Sequence, residues 1–203
     1  MNGLQAIFFD LGNVLVRVDE ARARVRFAAR TGKTEEEIDR YFHTTPYATE
    51  LALGKLAGPR FYRIVSKDLG FEGTYEEFTE IWSDVFEPIE PMLQLAGELA
   101  TRLPRLILSN TNALHINYIF EHYPVLKKFD AHVFSHEVRL LKPDAAMYQL
   151  ALEKSDAEAG RTLFIDDLQA NVDGARAIGM RAIQFESAEQ VRLELTKLGV
   201  SPI

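Results

Sequence analysis

A short apolar run that ends in a single carboxylate constrains the fold of this chain more than any other feature of its sequence. Residues 6–9 read Ala-Ile-Phe-Phe, Asp10 follows them, and Gly12 and Asn13 lie just beyond. Such a run favours a strand buried on both faces, and a glycine lets the backbone leave the sheet in a sharp turn. We expect Asp10 at the carboxyl end of that strand, where open α/β sheets form their ligand crevice. The alternative is that Asp10 only caps a turn.

Composition limits the class of protein. The chain has 203 residues, of which 47% are hydrophobic, which is enough for one domain or a domain with an insertion. A formal net charge of −7 does not favour nucleic acid as a partner. The absence of cysteine excludes disulfides, thiolate zinc sites and cysteine nucleophiles. No apolar run suits a membrane span and no signal peptide is recognisable, so we expect a cytoplasmic protein that does not bind membranes.

The segment between residues 16 and 87 carries the pattern of helices alone, with no predicted strand. Thr34 begins one helix and is followed at the third position by Glu37, which is typical of a capping box. Thr74 begins another helix, and the aromatic residues after it recur at helical spacing, which indicates a core. Further helices of this segment are predicted at residues 20–31, 47–53 and 60–69.

Beyond residue 88, predicted strands alternate with predicted helices, which is typical of a doubly wound, Rossmann-like parallel α/β sheet. We interpret residues 1–15 and 88–203 as this α/β core, and residues 16–87 as an inserted helical subdomain. The strands of the core are predicted at residues 103–108, 131–134, 161–165 and 181–185, and the helices that follow them at residues 115–123, 145–154, 171–178 and 190–198.

Polar residues directly follow these strands or precede a helix. Parallel strands present their carboxyl ends at one edge of the sheet, so these side chains can meet in one crevice. Carboxylates suit a hard divalent ion such as Mg²⁺, a hydroxyl and an amide can bind phosphate oxygens, and a lysine supplies a compact cation. Taken singly, the acidic pair could cap a helix and the lysine could lie on the surface. The residues are Asp10, Ser109 and Asn110, Lys142 before Pro143, and the pair Asp166 and Asp167.

The sequence resembles the haloacid dehalogenase superfamily over essentially its whole length, and the helical insertion resembles the cap of that family. Some motifs, such as Asp-Leu-Gly-Asn-Val and Leu-Ser-Asn-Thr-Asn with the turn around Glu50 and residues 54–56, are similar to a narrower branch. That branch includes the bacterial α-D-glucose-1-phosphate phosphatase and the N-terminal phosphatase of soluble epoxide hydrolase. The family motifs lie at residues 8–14, 106–110, 142–143 and 164–167.

The resemblance implies a Mg²⁺-dependent phosphatase that acts on a small phosphorylated metabolite such as a sugar phosphate. Asp10 would be the nucleophile and form an aspartyl-phosphate. Lys142 would offset the charge of the phosphoryl group and, with Ser109, Asn110 and Asn13, bind the substrate.

The resemblance also implies a ligand set for Mg²⁺. The ion would be held by Asp10, the carbonyl of Gly12 and Asp167, with Asp166 bound directly or through water. Asn171 would orient this acidic pair.

One position departs from the family pattern. Most phosphatases of the family carry a second aspartate, the general acid and base, two residues after the nucleophile, and here that residue is Gly12. A residue of the cap such as His43 or Glu50 would replace it, or the substrate would have a good leaving group. The alternatives are a non-catalytic phosphometabolite-binding protein and a 2-haloacid dehalogenase, although the acidic pair favours a metal-dependent enzyme. The remaining histidines are expected to be satisfied or on the surface, and the oligomeric state stays open between monomer and dimer.

Overall fold

The computed structural model describes residues 3–200 and contains a parallel five-stranded sheet and a two-stranded ribbon. The strands are β1 (Ala6–Phe9), β2 (Val16–Val18), β3 (Phe86–Pro88), β4 (Arg105–Ser109), β5 (Ala131–Phe134), β6 (Thr162–Asp166) and β7 (Arg181–Gln184). The α-helices are α1 (Glu20–Thr31), α2 (Glu35–Thr44), α3 (Tyr47–Ala52), α4 (Gly58–Leu69), α5 (Tyr75–Ser83), α6 (Glu90–Leu99), α7 (Ala113–His122), α8 (Ser135–Val138), α9 (Ala145–Ser155), α10 (Gln169–Ala177) and α11 (Ala188–Lys197). Short 3₁₀ helices span Pro124–Lys128 and Ala159–Arg161.

The central position of β1 follows from its sequence. The strand order of the sheet is β5-β4-β1-β6-β7, and all strands run parallel. Every residue of β1 is buried, as expected for a strand covered on both faces. Successive side chains of a strand point to opposite faces, and Phe8 accordingly belongs to the core that includes Tyr148 of α9 and Val172 of α10. Phe9 belongs to the opposite core, with Met92 of α6. The predicted doubly wound α/β fold is confirmed.

A separate hydrophobic core lies within the inserted segment. Helices α1 to α5 pack around aromatic and aliphatic side chains that include Phe27, Phe61 and Phe78. The predicted capping boxes of Thr34 and Thr74 are both present, which fixes where α2 and α5 begin. The insertion therefore has its own core.

The prediction that residues 16–87 contain no strand is wrong. Val16–Val18 and Phe86–Pro88 pair antiparallel, and Val18 lies opposite Phe86. This ribbon stands where the chain enters and leaves the helical part of the insertion. Strands of three residues are too short to show an alternating pattern, and their pairing joins segments that are far apart in sequence. The division at residues 15 and 88 stays a prediction, with the ribbon at its boundary.

The other strands and helices lie at or near their predicted positions. Strand β4 begins at Arg105 instead of residue 103, and β6 extends to Asp166, so this carboxylate is the last residue of its strand. Among residues 3–200, no helix combines the length and the apolar character needed to cross a membrane.

Candidate active site

A pocket of about 340 Å³ at the carboxyl edge of the sheet brings the predicted strand-end residues together. Asp10 directly follows β1, Ser109 ends β4, and Asp167 directly follows β6. These elements are neighbours in the sheet, so their carboxyl ends meet at the switch point where open α/β folds bind ligands. We call this cavity the Asp10 pocket, and its lining includes Asp10, Gly12, Asn13, Ser109, Asn110, Lys142, Asp167 and Asn171.

Lys142 is the buried cation of the Asp10 pocket. Its Nζ lies 2.8 Å from Asp10 Oδ1 and 2.6 Å from Asp166 Oδ2, and its side chain is 1% exposed. Burial of a lysine is costly unless the charge is paired, and here two carboxylates pair with it. The lysine is therefore part of the site and not a surface residue.

The Asn110 side chain holds the backbone of Lys142. Its Oδ1 accepts a hydrogen bond from the Lys142 N–H at 2.8 Å, and its Nδ2 donates to the Lys142 carbonyl at 3.0 Å. The peptide bond between Lys142 and Pro143 is cis. The amide that was expected to bind phosphate is thus engaged within the protein, and a substrate contact of Asn110 stays a prediction.

Asp166 is fully buried and its carboxylate is saturated with hydrogen bonds. Oδ1 accepts from the Leu168 N–H at 2.9 Å and from Asn171 Nδ2 at 3.0 Å, while Oδ2 accepts from Lys142. The expected contact of Asn171 with the acidic pair is therefore present. With these donors in place, Asp166 orients Lys142 and has little capacity left for another partner.

The partner of Asp167 is Asn13, which was expected to bind substrate. Asn13 Nδ2 donates to Asp167 Oδ2 at 3.2 Å, and Asn13 Oδ1 accepts from the Val18 N–H at 3.1 Å. Asn13 has a φ of 55°, a left-handed conformation that asparagine tolerates better than most residues. Its side chain thus ties Asp167 to the ribbon, and its contact with substrate stays a prediction.

The acidic groups of the site have the composition of a magnesium site. Carboxylate oxygens of Asp10, Asp166 and Asp167 all lie within 4.8 Å of one another. Oxygen donors at this spacing fit Mg²⁺, which binds few protein carboxylates and retains water. Because Asp166 is saturated, Asp10 and Asp167 are the carboxylates better able to bind an ion. Gly12, whose carbonyl was expected as a further ligand, lines the same pocket.

Burial changes the protonation of Asp10. The pKa of this carboxyl is raised to about 6 overall: burial raises it most, the Lys142 ammonium lowers it, and the neighbouring Asp166 carboxylate raises it. The Leu11 N–H also donates to Asp10 Oδ1, at 2.7 Å. A bound divalent cation favours the ionised form of a carboxyl, so the site is suited to a metal that keeps Asp10 charged.

A second cavity of about 310 Å³ lies between the core and the insertion, and we call it the cap pocket. Its apolar lining includes Phe42, Ala52 and Trp82, and its polar lining includes Arg24 and His43. Five residues line both pockets, so the two cavities adjoin: Val18, Glu20, Asn110, Thr111 and His115.

His115 joins the core to the insertion at this junction. Its Nδ1 lies 3.1 Å from Asn112 Nδ2, its Nε2 lies 3.1 Å from the Trp82 carbonyl, and its ring stacks on the Trp82 indole. This pattern assigns Nδ1 as the acceptor and Nε2–H as the donor. Burial lowers its pKa to about 4, so the imidazole is neutral at pH 7. The expectation of a satisfied histidine is confirmed, but its place at the site was missed.

The proposed replacements for the acid missing at Gly12 lie apart from Asp10. His43 lines the cap pocket, and its Nδ1 lies 2.9 Å from the Asp39 carbonyl. It does not line the Asp10 pocket, and Glu50 lines neither cavity among the described residues. Sequence reasoning missed Val18 and Glu20, whose only signal was their closeness to one end of the insertion. It assigned Trp82 to the aromatic stripe of a core helix, whereas this ring also lines the cap pocket.

Comparison with known proteins places the chain among the hydrolases. The model of the haloacid dehalogenase-like hydrolases matches residues 4–179. A D-ribitol-5-phosphate phosphatase of Bacteroides thetaiotaomicron is 27% identical over 95% of this chain and 97% of its own. Phosphatase MT3486 of Mycobacterium tuberculosis is 25% identical over 93% of this chain and 90% of its own.

Solved structures show the same fold. A HAD family enzyme of Bacteroides thetaiotaomicron, bt-2542, in complex with magnesium and inorganic phosphate, superimposes with a TM-score of 0.84 at 21% identity. The alignment covers 91% of this chain and 95% of that one. The narrower resemblance to the glucose-1-phosphate phosphatase branch stays a prediction. By its fold and by the match of the family model, the chain belongs to the haloacid dehalogenase-like hydrolases.

Proposed function

We propose that this protein is a Mg²⁺-dependent phosphatase of a small phosphorylated metabolite, such as a sugar or polyol phosphate. The observation that carries the proposal is the buried Lys142 between Asp10 and Asp166, beside the acidic cluster completed by Asp167. A cation and a set of hard oxygen ligands together suit a phosphoryl group and its metal. The phosphatase relatives and the phosphate complex of bt-2542 support the same class of substrate.

Asp10 acts as the nucleophile. The Leu11 N–H and Lys142 fix Oδ1, so the carboxylate presents a constant orientation to the phosphorus. Attack forms an O–P bond to Asp10 while the bond to the leaving oxygen breaks, and water then hydrolyses the aspartyl-phosphate. Lys142 offsets the charge on the phosphoryl oxygens, and Ser109, which is buried in the same pocket, donates a hydrogen bond to one of them.

Mg²⁺, when bound, neutralises phosphoryl charge and orients the group for in-line attack. Asp10, Asp167 and the Gly12 carbonyl would hold it, and Asp166, whose oxygens are already engaged, would contribute only through water. Asn13 and Asn171 then keep the two carboxylates of the pair in their orientations.

The leaving group occupies the cap pocket, because the phosphoryl group must reach Asp10 and the two cavities adjoin. A volume of about 310 Å³ lies at the lower end of the range for small-molecule sites. Apolar side chains with a few charged groups at the wall suit a compact metabolite better than a polymer. The activity of the D-ribitol-5-phosphate phosphatase directs the first substrate choice to polyol and sugar phosphates.

The test is phosphate release from a panel of sugar and polyol phosphates, with Mg²⁺ and with chelator. We expect turnover of a narrow group of esters that stops with chelator and in Asp10→Asn, whose amide is a poor nucleophile. Binding of an ester without turnover would indicate the non-catalytic binding protein that Gly12 makes conceivable. Release of halide from a 2-haloacid without metal would indicate a dehalogenase.

A further inference from the structure

The ribbon covers Gly12, the position where the general acid is missing. A Cβ atom at residue 12 would lie 3.3 Å from Val18 Cγ2, which is tighter than an ordinary van der Waals contact. The side chain of Val18 therefore crowds position 12, and a longer residue there would require Val18 to shift by a few tenths of an ångström. With glycine at this position, an acid that serves Asp10 has to enter the pocket from another direction.

The Asp10 pocket offers few candidates for that acid. Among the described residues, the titratable side chains that line it are Asp10, Glu20, His115, Lys142 and Asp167. Asp10 and Lys142 form the buried ion pair, and Asp167 belongs to the acidic cluster. His115 uses both ring nitrogens in hydrogen bonds. Glu20 is the group without an assigned role.

Glu20 also lies at the junction of the two pockets, where the oxygen of the leaving group is expected. Glu20 and His115 are the described titratable residues that line both the Asp10 pocket and the cap pocket. The bond that breaks connects a phosphoryl group in the first cavity to a leaving group in the second, so its oxygen lies at their junction. The side chain of Glu20 is 72% exposed, and its Oε2 lies 3.9 Å from Arg24 Nη1. That contact is loose enough to leave the carboxyl available to substrate.

We propose that Glu20 is the general acid and base of the reaction, in the role that an aspartate at position 12 would have. The proposal rests on the phosphatase function proposed above. Glu20 is the first residue of α1 and follows β2, the strand whose Val18 covers Gly12. The ribbon thus crowds the usual position of the acid, and the helix that follows it brings a carboxylate to the edge of the same pocket.

The protons balance over the two steps. In the first, Asp10 bonds to phosphorus, the leaving oxygen takes the proton of the Glu20 carboxyl, and the alcohol departs. In the second, the Glu20 carboxylate takes a proton from the attacking water while the bond between phosphorus and Asp10 breaks. Inorganic phosphate leaves, and both residues return to their starting states.

The cation beside Glu20 is held within the insertion. Arg24 Nη1 lies 3.5 Å from Asp39 Oδ1 on α2 and so bridges the two helices near the carboxyl of Glu20. Because Glu20 belongs to the insertion and Asp10 to the core, movement of one against the other would bring the acid to the substrate. Such a closing step is common in enzymes with lids.

The experiment compares the hydrolysis of two phosphate esters by Glu20→Gln and by the wild-type protein. An alkyl phosphate needs a proton on its leaving oxygen, whereas the 4-nitrophenyl ester leaves as a stable anion. We expect kcat/KM of Glu20→Gln, which reports phosphoryl transfer to Asp10, to fall by about 10²–10⁴-fold on the alkyl phosphate and by less than about tenfold on the aryl ester. The value of kcat also contains the hydrolysis of the aspartyl-phosphate, which is the same step for both esters. Glu35→Gln is the matched control, since Glu35 is the exposed first residue of α2 and lines neither pocket.

Each other outcome overturns the assignment. A wild-type kcat/KM of Glu20→Gln on the alkyl ester would remove the acid role, and equal losses of kcat/KM on both esters would indicate a structural or binding effect. Thermal melting of the variant, expected to match wild type, separates folding from catalysis. If Asp10→Asn is inactive while Glu20→Gln is fully active, the phosphatase function stands and the role of Glu20 fails. If wild type hydrolyses no ester, the proposed function fails first.

Discussion

The Asn110 side chain forms two hydrogen bonds with the backbone of Lys142, one to its N–H and one to its carbonyl. This pairing fixes the loop that carries the buried ammonium toward Asp10. Asn110 thereby acts as a positioning residue, although it also borders both pockets.

Replacement of Asn110 by Ala should therefore impair the reaction more than binding. With both bonds lost, Lys142 shifts relative to the phosphoryl group, and a displacement of about 1 Å can cost about 10²-fold in rate. We expect kcat to fall by about that factor, with little change in inhibition by inorganic phosphate. A weakening of phosphate inhibition with kcat intact would instead show that the Asn110 side chain binds substrate.

Substitution of the two adjacent aspartates should have different effects: loss of Asp166 should lower stability, and loss of Asp167 should remove metal-dependent activity. Asp166→Ala leaves Lys142 with half of its pairing in a buried site, and we expect a loss of about 3–5 kcal/mol of unfolding free energy. Asp167 is half-buried and paired only with Asn13 among the described residues, so Asp167→Ala should leave stability within about 1 kcal/mol but abolish Mg²⁺-dependent activity. Urea unfolding and Mg²⁺ titration measure both effects. Unchanged Mg²⁺ affinity of Asp167→Ala would remove it from the ligand set.

The strand ends show what the sequence could predict. Asp10 and Asp167 follow apolar runs whose strand character is local, and the parallel sheet brings such ends together wherever the runs lie in the chain. The capping boxes of Thr34 and Thr74 are likewise local patterns, and both are present. These features need no knowledge of tertiary contacts.

The missed features depend on contacts between distant parts of the chain. The pairing of Val18 with Phe86 and the stacking of His115 on Trp82 join residues that no short window contains. The amide of Asn110 matches a phosphate and a peptide backbone equally well, so its residue type alone could not identify its partner. Tertiary structure decides such choices.

The buried His115 should make stability depend on pH. Its pKa is lowered from 6.5 to about 4 by burial, so between these values the unfolded chain binds more protons than the folded one. Stability from this group is complete above pH 6.5 and is lost as the pH falls toward 4. The shift of this pKa from 6.5 to about 4 corresponds to a change of up to about 3 kcal/mol in the free energy of unfolding, at about 1.4 kcal/mol per pKa unit.

The check is the unfolding free energy of wild type and His115→Gln at several pH values. Glutamine can donate to the Trp82 carbonyl but does not titrate, so the difference between the two proteins should shrink as the pH falls from 6.5. The raised pKa of Asp10, about 6, makes stability decrease as the pH rises, but this effect is present in both proteins and cancels in their difference. A difference that stays constant with pH would mean that the pKa of His115 is the same in the folded and the unfolded protein, as for an exposed imidazole.

Gly54 should be required for the contact between the insertion and the core. Its φ is +62°, and a Cβ atom there would lie 2.0 Å from the carbonyl oxygen of His136. Next to it, Ser135 Oγ donates to the Ala52 carbonyl and accepts from the Thr111 N–H. Ala52 and Thr111 both line the cap pocket. Gly54→Ala should raise KM and lower kcat together. Gly70→Ala, a site with similar φ and free space, controls for backbone strain, and equal effects would contradict the contact.

A carboxylate at residue 12 should replace the one at residue 20. The φ of Gly12 does not lie in the left-handed region, so Asp is tolerated there if Val18 yields by a few tenths of an ångström. In the Glu20→Gln background, Gly12→Asp should restore at least about tenfold of the lost rate on an alkyl phosphate, because a proton donor again reaches the leaving oxygen. Gly12→Asn adds the same bulk without the acid and should restore nothing. Rescue by both substitutions would attribute the gain to packing against Val18, and rescue by neither would mean that position 12 no longer reaches the substrate in this pocket.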